Sequence, residues 1–313
     1  MSAENIKSIP QEKVDIVVVN WNSGNYLQKC LSSIFLSNNV FCIGNVIVVD
    51  NNSSDLSLNN LPANDNLIII QNNTNAGFAK ACNQGFALCS SEYVLLLNPD
   101  AMLLEDTLLN CIVFMNLHPA INILGCSLVD ENNNLTKSCA RFPSPLNFFY
   151  DASGLSKFAP QIFTPGTLMT DWDHKNSKEV DQVMGAFMFM RRGIFNKIGY
   201  FDERFFVYFE ELDFSLRLFK SGGKSYFNSS IKAVHAGEGT TSSVKAFRLF
   251  LSLQSRLKYA KKHFSYTGYL FVCISTFPIE FLSRFVFLIF SGKFKQLLAL
   301  IGGYRMLLLN TGH

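Results

Sequence analysis

Across 313 residues the chain contains no C-x-x-C pair, no G-x-G-x-x-G run, only 16% charged residues and, over its last seventy positions, a single carboxylate. Each shortage excludes something. Without paired spacing, Cys30, Cys42, Cys82, Cys89, Cys111, Cys126, Cys139 and Cys273 read as reduced, buried small hydrophobes of a cytosolic protein rather than a zinc or disulfide framework. Without the glycine fingerprint that wraps a dinucleotide pyrophosphate, a Rossmann dehydrogenase is disfavoured. Low charge beside 48% apolar residues and 30 phenylalanines excludes disorder, and no nucleic-acid partner is expected. Met1 to Lys13 lacks an apolar signal core, so export is not expected. No uninterrupted run of about 20 apolar residues predicts a clean membrane span.

What is present is a series of apolar strands, each ending in a polar turn. Val14 to Val19 runs into Asn20-Trp21-Asn22-Ser23-Gly24, and Leu27, Cys30, Leu31, Ile34 and Phe35 then repeat at helical spacing. Val46 to Val49 ends at Asp50-Asn51-Asn52-Ser53, and Leu67 to Gln71 ends at Asn72 to Gly77. A helical face from Phe78 to Cys89 follows, with Gly77 at its entrance and Lys80 in its first turn. Tyr93 to Leu97 stops at Asn98-Pro99-Asp100. A continuous apolar run bounded by a proline turn is a strand buried on both faces of a parallel α/β sheet, and ligands gather at the C-terminal ends of such strands. Asp50 and Asp100 are therefore the carboxylates expected to face a ligand. The plain alternative for both is an Asx turn or helix cap.

Further along, a helix is expected from about Leu104 to Leu117, a strand over Ile121 to Cys126 and a polar hairpin tip at Asp130 to Asn134. Arg141 to Val180, with four prolines and Trp172-Asp173-His174, reads as a long loop, an acceptor lid. Val183 to Met190 is a strand carrying Gly185, and Val234-His235 ends another. Glu210, Glu211 and Asp213 open a helix whose buried face would carry Leu212, Leu216 and Phe219. Carboxylates there suit the helix dipole, or, against an apolar wall, a general base.

Taken in order, Val17 to Gly24, Val48 to Ser53, Asn75-Ala76-Gly77-Phe78-Ala79, Leu97 to Asp100, Gly185-Ala186-Phe187, Phe201 to Phe206, Phe209 to Asp213 and Val234-His235 resemble family 2 glycosyltransferases, in the bacterial rhamnosyltransferase-like branch. The likeness covers roughly Val14 to Thr241. It implies a GT-A fold, a Rossmann-like, mostly parallel sheet flanked by helices, and an inverting transfer from a nucleoside-diphosphate sugar, dTDP- or UDP-linked, to a saccharide or lipid-linked acceptor. By the same resemblance Asp50 contacts the base, Asn20 and Asn22 line its pocket, and Asn75 and Gly77 lie beside the nucleoside, with Lys80 and Asn98 assigned to the same nucleotide site. Gly185 and Ala186 form a donor and acceptor loop. Asp100 holds a divalent cation, Mg²⁺ or Mn²⁺, with His235, although Asn-Pro-Asp stands where the wider family carries Asp-x-Asp. Glu211 occupies the place of the catalytic carboxylate, with Glu210 and Asp213 as rivals. The rival readings are a nucleotidyltransferase and a catalytically inactive scaffold subunit that binds sugar nucleotides.

Residues 1 to 243 would form this catalytic domain and residues 244 to 313 a C-terminal amphipathic helical extension. The extension carries ten basic residues against Glu280 alone, a net of +9 in a chain of net +3. Its apolar stretch from Tyr269 to Phe290 is interrupted by Pro278, Glu280 and Arg284, the last two spaced to pair on one helix face. It is expected to lie on an anionic membrane surface, which would hold a cytoplasmic enzyme at the inner face of the cell membrane. A helical homodimer interface is the alternative.

Overall fold

The computed structural model describes residues 12–35, 38–237 and 245–310. In chain order the elements are β1 (Val14–Asn20), α1 (Tyr26–Phe35), β2 (Ile43–Asp50), β3 (Leu67–Gln71), α2 (Phe78–Phe86), β4 (Tyr93–Leu97), β5 (Ala101–Leu103), α3 (Thr107–Leu117) and β6 (Ile123–Val129). Then come β7 (Cys139–Ala140), α4 (Pro145–Ser153), α5 (Leu155–Phe158), β8 (Lys178–Val180), β9 (Gln182–Val183), β10 (Phe187–Arg191), α6 (Ile194–Ile198), α7 (Glu210–Lys220) and β11 (Ser225–His235). The C-terminal helices are α8 (Lys245–His263), α9 (Tyr266–Ile274), α10 (Phe281–Phe290) and α11 (Phe294–Asn310).

The main sheet runs β3-β2-β1-β4-β10-β6-β11-β5, with β8 added beside β11. Its first four strands are parallel, as are β6 and β11, while β10 enters antiparallel between β4 and β6. Strands β1 and β4 are buried along their whole length, because helices cover both faces. Val14, Ile16 and Val18 point to the side carrying α1 and α3, whereas Val17 and Val19 point to the side carrying α2, α6 and α7. Beneath this, at the N-terminal end of β1, the buried Asp15 carboxylate accepts the backbone N–H groups of Asn45, Ser90 and Ser91 and so ties β1 to the start of β2 and to the connection between α2 and β4.

A third core belongs to the C-terminal helices. Leu253, Tyr259, Ala260, Val272, Leu300 and Tyr304 pack with Phe148 of α4, with Phe205 in the segment before α7 and with Leu212 in its first turn. The expected boundary between residues 243 and 244 lies outside the described residues, as do residues 1–11 at the N-terminus. Helix α8 itself is buried against the sheet domain at Leu253, Tyr259 and Ala260.

Several expectations are corrected. The Arg141 to Val180 stretch is not all loop: Ser144 caps α4 through the Asn147 N–H, Pro145 fits the first helical turn, and Gly154 ends the helix in the left-handed region at φ 83°. Trp172 and His174 do not hang in a lid. His174 is fully buried, stacks on Trp172 with ring centroids 4.1 Å apart, and accepts the Cys139 N–H at Nε2 while Nδ1 faces the Trp172 carbonyl. Burial pushes its pKa down, which suits a neutral structural ring. The expected strand from Val183 to Met190 is broken at 184–186, between β9 and β10. On α7, Phe219 is 61% exposed, so the buried face is carried instead by Leu212, Phe214 and Leu218. Pro278 does not end the apolar helix: Ser275–Glu280 widens into a π-helical turn that absorbs the missing donor, joining α9 and α10 into one helix from Tyr266 to Phe290. By length and composition this helix is able to cross a membrane. Its one carboxylate, Glu280, is 2% exposed and paired with Arg284, as the spacing predicts, and also with Arg256 of α8.

Candidate active site

Strand register gathers the polar turns at one edge of the sheet. Asn20 lies opposite Asp50, Asp50 opposite Gln71, and Val18 opposite Leu97, so β1, β2, β3 and β4 end together. Because β10 runs the other way and begins with Phe187 opposite Leu97, the preceding Gly185 and Ala186 arrive at the same edge.

At the outer end of this edge, Asp50 is 4% exposed and accepts the Asn20 side-chain N–H at 2.7 Å, the Ser53 hydroxyl at 2.6 Å and the Ser53 N–H at 3.1 Å. Asn20 is fully buried; its amide nitrogen also donates to Ser57 Oγ, and its oxygen accepts the Ser23 hydroxyl. Asn22, at φ 52°, uses its side-chain oxygen to hold the Ser54 and Asp55 N–H groups. The two asparagines thus fix the loops on either side of Asp50. Asn51, which the sequence reading passes over as one more turn residue, donates to the Gly77 carbonyl and accepts from Asn72 and the Ala76 N–H. Asn75 accepts the Gly77 N–H in an Asx turn. Gly77 itself sits at φ 89°, and a Cβ there would meet the Phe206 carbonyl oxygen at 2.7 Å, so only glycine allows this approach. Lys80 stands exposed in the first turn of α2, apart from these groups.

Further along the edge, the chain leaves β4 through Asn98-Pro99-Asp100 and crosses to pair as β5 with the end of β11, Ala101 opposite His235. This crossing is what sets Asp100 beside His235. Asp100 Oδ1 lies 3.2 Å from His235 Nε2, and that nitrogen is buried without a hydrogen-bonded partner, out of line with the carboxylate. A carboxylate oxygen and an orphaned imidazole nitrogen this close together are donors of the kind a divalent cation takes. Among the described residues no group of three or more His, Cys, Asp or Glu side chains gathers to hold a metal, here or elsewhere. Two protein ligands suit an ion that shares its remaining positions with water and substrate phosphates.

The same edge reaches α7 through the break between β9 and β10. The Ala186 carbonyl accepts the Asn98 N–H at 3.1 Å, and the neighbouring Gly185 N–H donates to Glu211 Oε1 at 3.2 Å. A Cβ on Gly185 would stand 2.5 Å from that oxygen, so glycine is what lets the carboxylate approach. Glu210 is 1% exposed and its Oε2 has no partner. Burial, reinforced by the charge of Glu211, pushes the Glu210 pKa well above the carboxylate range. Burial also raises Glu211, but the Gly185 N–H and Glu210 both stabilise its ionised form. Burial thus raises both carboxyls of this adjacent pair, Glu210 more than Glu211, and their protonations are linked.

Asp213 is occupied elsewhere. It is fully buried, and burial alone would raise its pKa, yet His263 Nε2 at 2.7 Å, Lys262 Nζ at 2.5 Å and Arg217 Nε at 2.9 Å hold it below the ordinary value. Lys262, one of the basic residues of the tail, and its neighbour His263 therefore reach inward from α8. That helix also grips the approach to α7: Lys262 pairs with Asp202, Lys258 donates to the Arg204 carbonyl, Ser255 to the Val207 carbonyl and Arg248 to the Tyr208 hydroxyl. The grip is needed, because Tyr208 and Phe209 both lie in the left-handed region, at φ 68° and 71°, immediately before Glu210. Asp213→Asn is expected to lower stability by about 3–5 kcal/mol, the scale for breaking a buried ion pair, as measured by urea unfolding. Its folded-state pKa is depressed, so this contribution is complete at neutral pH and is lost as pH falls through the folded value; in acid the variant and the parent should converge.

Comparison with known proteins bears on the family and the fold. The family model described as glycosyl transferase family 2 matches residues 15–199. The chain is 23% identical over 235 residues to the N-acetylglucosaminyl-diphospho-decaprenol L-rhamnosyltransferase of Mycobacterium tuberculosis, covering 70% of this chain and 75% of that protein. It is 28% identical over 165 residues to the rhamnosyltransferase WbbL of Escherichia coli, covering 51% of this chain and 59% of that one. Among solved structures, the mannosyltransferase PcManGT of Pyrobaculum calidifontis, in complex with GDP-Man and Mn²⁺, superposes with a TM-score of 0.56 at 13% identity, covering 96% of this chain and 88% of that one. GalNAc-T7, with UDP, GalNAc and Mn²⁺, gives 0.57 at 12% identity over 80% of this chain and 48% of its own length. The shared fold is the GT-A fold expected from the sequence.

Proposed function

The chain belongs to glycosyl transferase family 2, and from that premise we propose that it moves rhamnose from a nucleoside-diphosphate donor, dTDP- or UDP-linked, to a saccharide or lipid-linked acceptor with inversion. The observation that carries this reading is the common edge on which Asp50, the Asp100–His235 pair and Glu211 meet through strand register and the Gly185-Ala186 break.

In this reading Asp50 accepts hydrogen bonds from the nucleotide's base, held in place by Asn20 and Ser53. Asn75 and the Gly77 turn border the nucleoside. Asp100 and His235 would be the residues that hold Mg²⁺ or Mn²⁺. When bound, such a cation neutralises charge building on the leaving phosphate. Glu211 takes the proton of the acceptor hydroxyl as its oxygen bonds to the anomeric carbon; on the opposite face the bond from that carbon to the diphosphate oxygen breaks, and the nucleoside diphosphate leaves with the electron pair. Burial disfavours an ionised Glu210 more strongly than an ionised Glu211, so in this reading Glu210 carries the proton of the pair and adds no second negative charge beside the base. The tail would hold the enzyme at the cytoplasmic face of the cell membrane, where a lipid-linked acceptor is presented.

The test is a screen of nucleotide sugars by thermal shift with Mn²⁺ or Mg²⁺, followed by a transfer assay with the donors that bind. A dTDP- or UDP-sugar that stabilises the protein only with metal, and is then consumed, supports the reading. Binding without hydrolysis or transfer on any acceptor would favour an inactive scaffold instead.

A further inference from the structure

Helices α10 and α11 turn back on each other through Ser291, Gly292 and Lys293, with the Gly292 φ at 65° and the Lys293 N–H returning to the Leu288 carbonyl. The inner side of this hairpin is anchored, since Leu288, Leu300 and Tyr304 are buried in the core shared with α8. Its tip is apolar and open: Phe290 is 87% exposed, Phe294 64%, Phe287 60% and Leu298 73%. Lys293 and Lys295 flank these rings, Lys293 lying over Phe287 at 5.7 Å. No carboxylate occurs from residue 281 to residue 313.

We propose that this tip is a wedge that enters an anionic lipid surface, its rings in the acyl boundary and its lysines among the headgroups. The inference rests on the reading that the tail holds the enzyme at a membrane, and names the part of the tail that does so. A rigid, anchored hairpin loses little conformational freedom on inserting exposed aromatic rings, and lysines beside them match anionic headgroups. A second copy docking tip to tip is disfavoured, because the lysines would face each other with no carboxylate in the hairpin to neutralise them. A full span by Tyr266–Phe290 is disfavoured too, since Glu280 and Arg256 tie the middle of that helix to α8 inside the protein.

Sedimentation of the purified full chain with vesicles, without donor or acceptor, tests this independently of catalysis. Vesicles of phosphatidylcholine with phosphatidylglycerol should bind the chain at low salt, and phosphatidylcholine alone more weakly. Phe290→Glu with Phe294→Glu should reduce partitioning at least tenfold with unchanged circular dichroism, since both rings already face solvent. Lys293→Gln with Lys295→Gln should lower binding to anionic vesicles by about 30-fold, roughly fivefold per lysine, and leave binding to neutral ones unchanged. Leu117→Glu, on an exposed leucine at the end of α3, is the control and should bind like the parent. Unaltered binding by the double phenylalanine variant overturns the proposal. So does a dimer that this variant dissociates, or a protein that resists alkaline extraction from membranes.

Discussion

Asp100→Ala is expected to reduce sugar transfer by about two to three orders of magnitude, the scale of losing one electrostatic stabiliser of a charged transition state. The fold should survive, because the crossing from β4 to β5 is held by main-chain bonds: the Asp100 carbonyl accepts the Ala236 N–H, and Ala101 pairs with His235. Calorimetric titration with nucleoside diphosphate should lose its Mn²⁺ dependence while retaining metal-free affinity, since Asp50 and the Gly77 turn are untouched. His235→Ala should act in the same direction with a smaller effect, because a neutral imidazole contributes less to a hard cation than a carboxylate does. Chelation of the parent protein should reproduce the Asp100→Ala behaviour. Unchanged turnover together with unchanged nucleotide affinity would remove Asp100 from the metal role.

The residues involved show which kind of information was readable in advance. Asn20, Asp50 and Asp100 were visible because each follows a buried apolar run, and parallel strands must end at one edge; local pattern and general topology suffice. Glu211 was visible as a carboxylate at the start of an amphipathic helix, but its difference from Glu210 and Asp213 was not. That difference arises from Gly185, twenty-six residues earlier, and from Lys262 and His263, about fifty residues later. Strand β5 was unreadable for the same reason. Three residues carry no period, and their partner β11 lies 130 residues on. Helix α4 was different, since Ser144, Pro145, Asn147 and Gly154 are ordinary start and stop signals hidden only by the density of prolines around them. The basic tail misled in one respect. Composition reports charge without direction, and Arg256 and Lys262 spend theirs inside the protein on Glu280 and Asp213.

In the proposed mechanism Glu211 is the general base, since Asp213 is bound to three partners and burial disfavours an ionised Glu210 more strongly, and Glu211→Gln is expected to lower transfer by about 10²- to 10⁴-fold. The amide still offers an oxygen to the Gly185 N–H, so donor affinity and thermal stability should stay close to those of the parent. Glu210→Gln should cost far less, because burial disfavours the ionised form of Glu210 and glutamine imitates its neutral one. The pH profile gives a second reading. A base must be ionised to act, so the rate should rise with pH, and burial shifts that rise above the ordinary glutamate value of about 4.3. The limb should disappear in Glu211→Gln, whose residual rate has no carboxylate at this position to titrate, and persist in Glu210→Gln. Near-normal turnover by Glu211→Gln, with Glu210→Gln inactive but still binding donor, would move the base one residue back. If both retain turnover and the acidic limb, proton removal from the acceptor does not run through the start of α7.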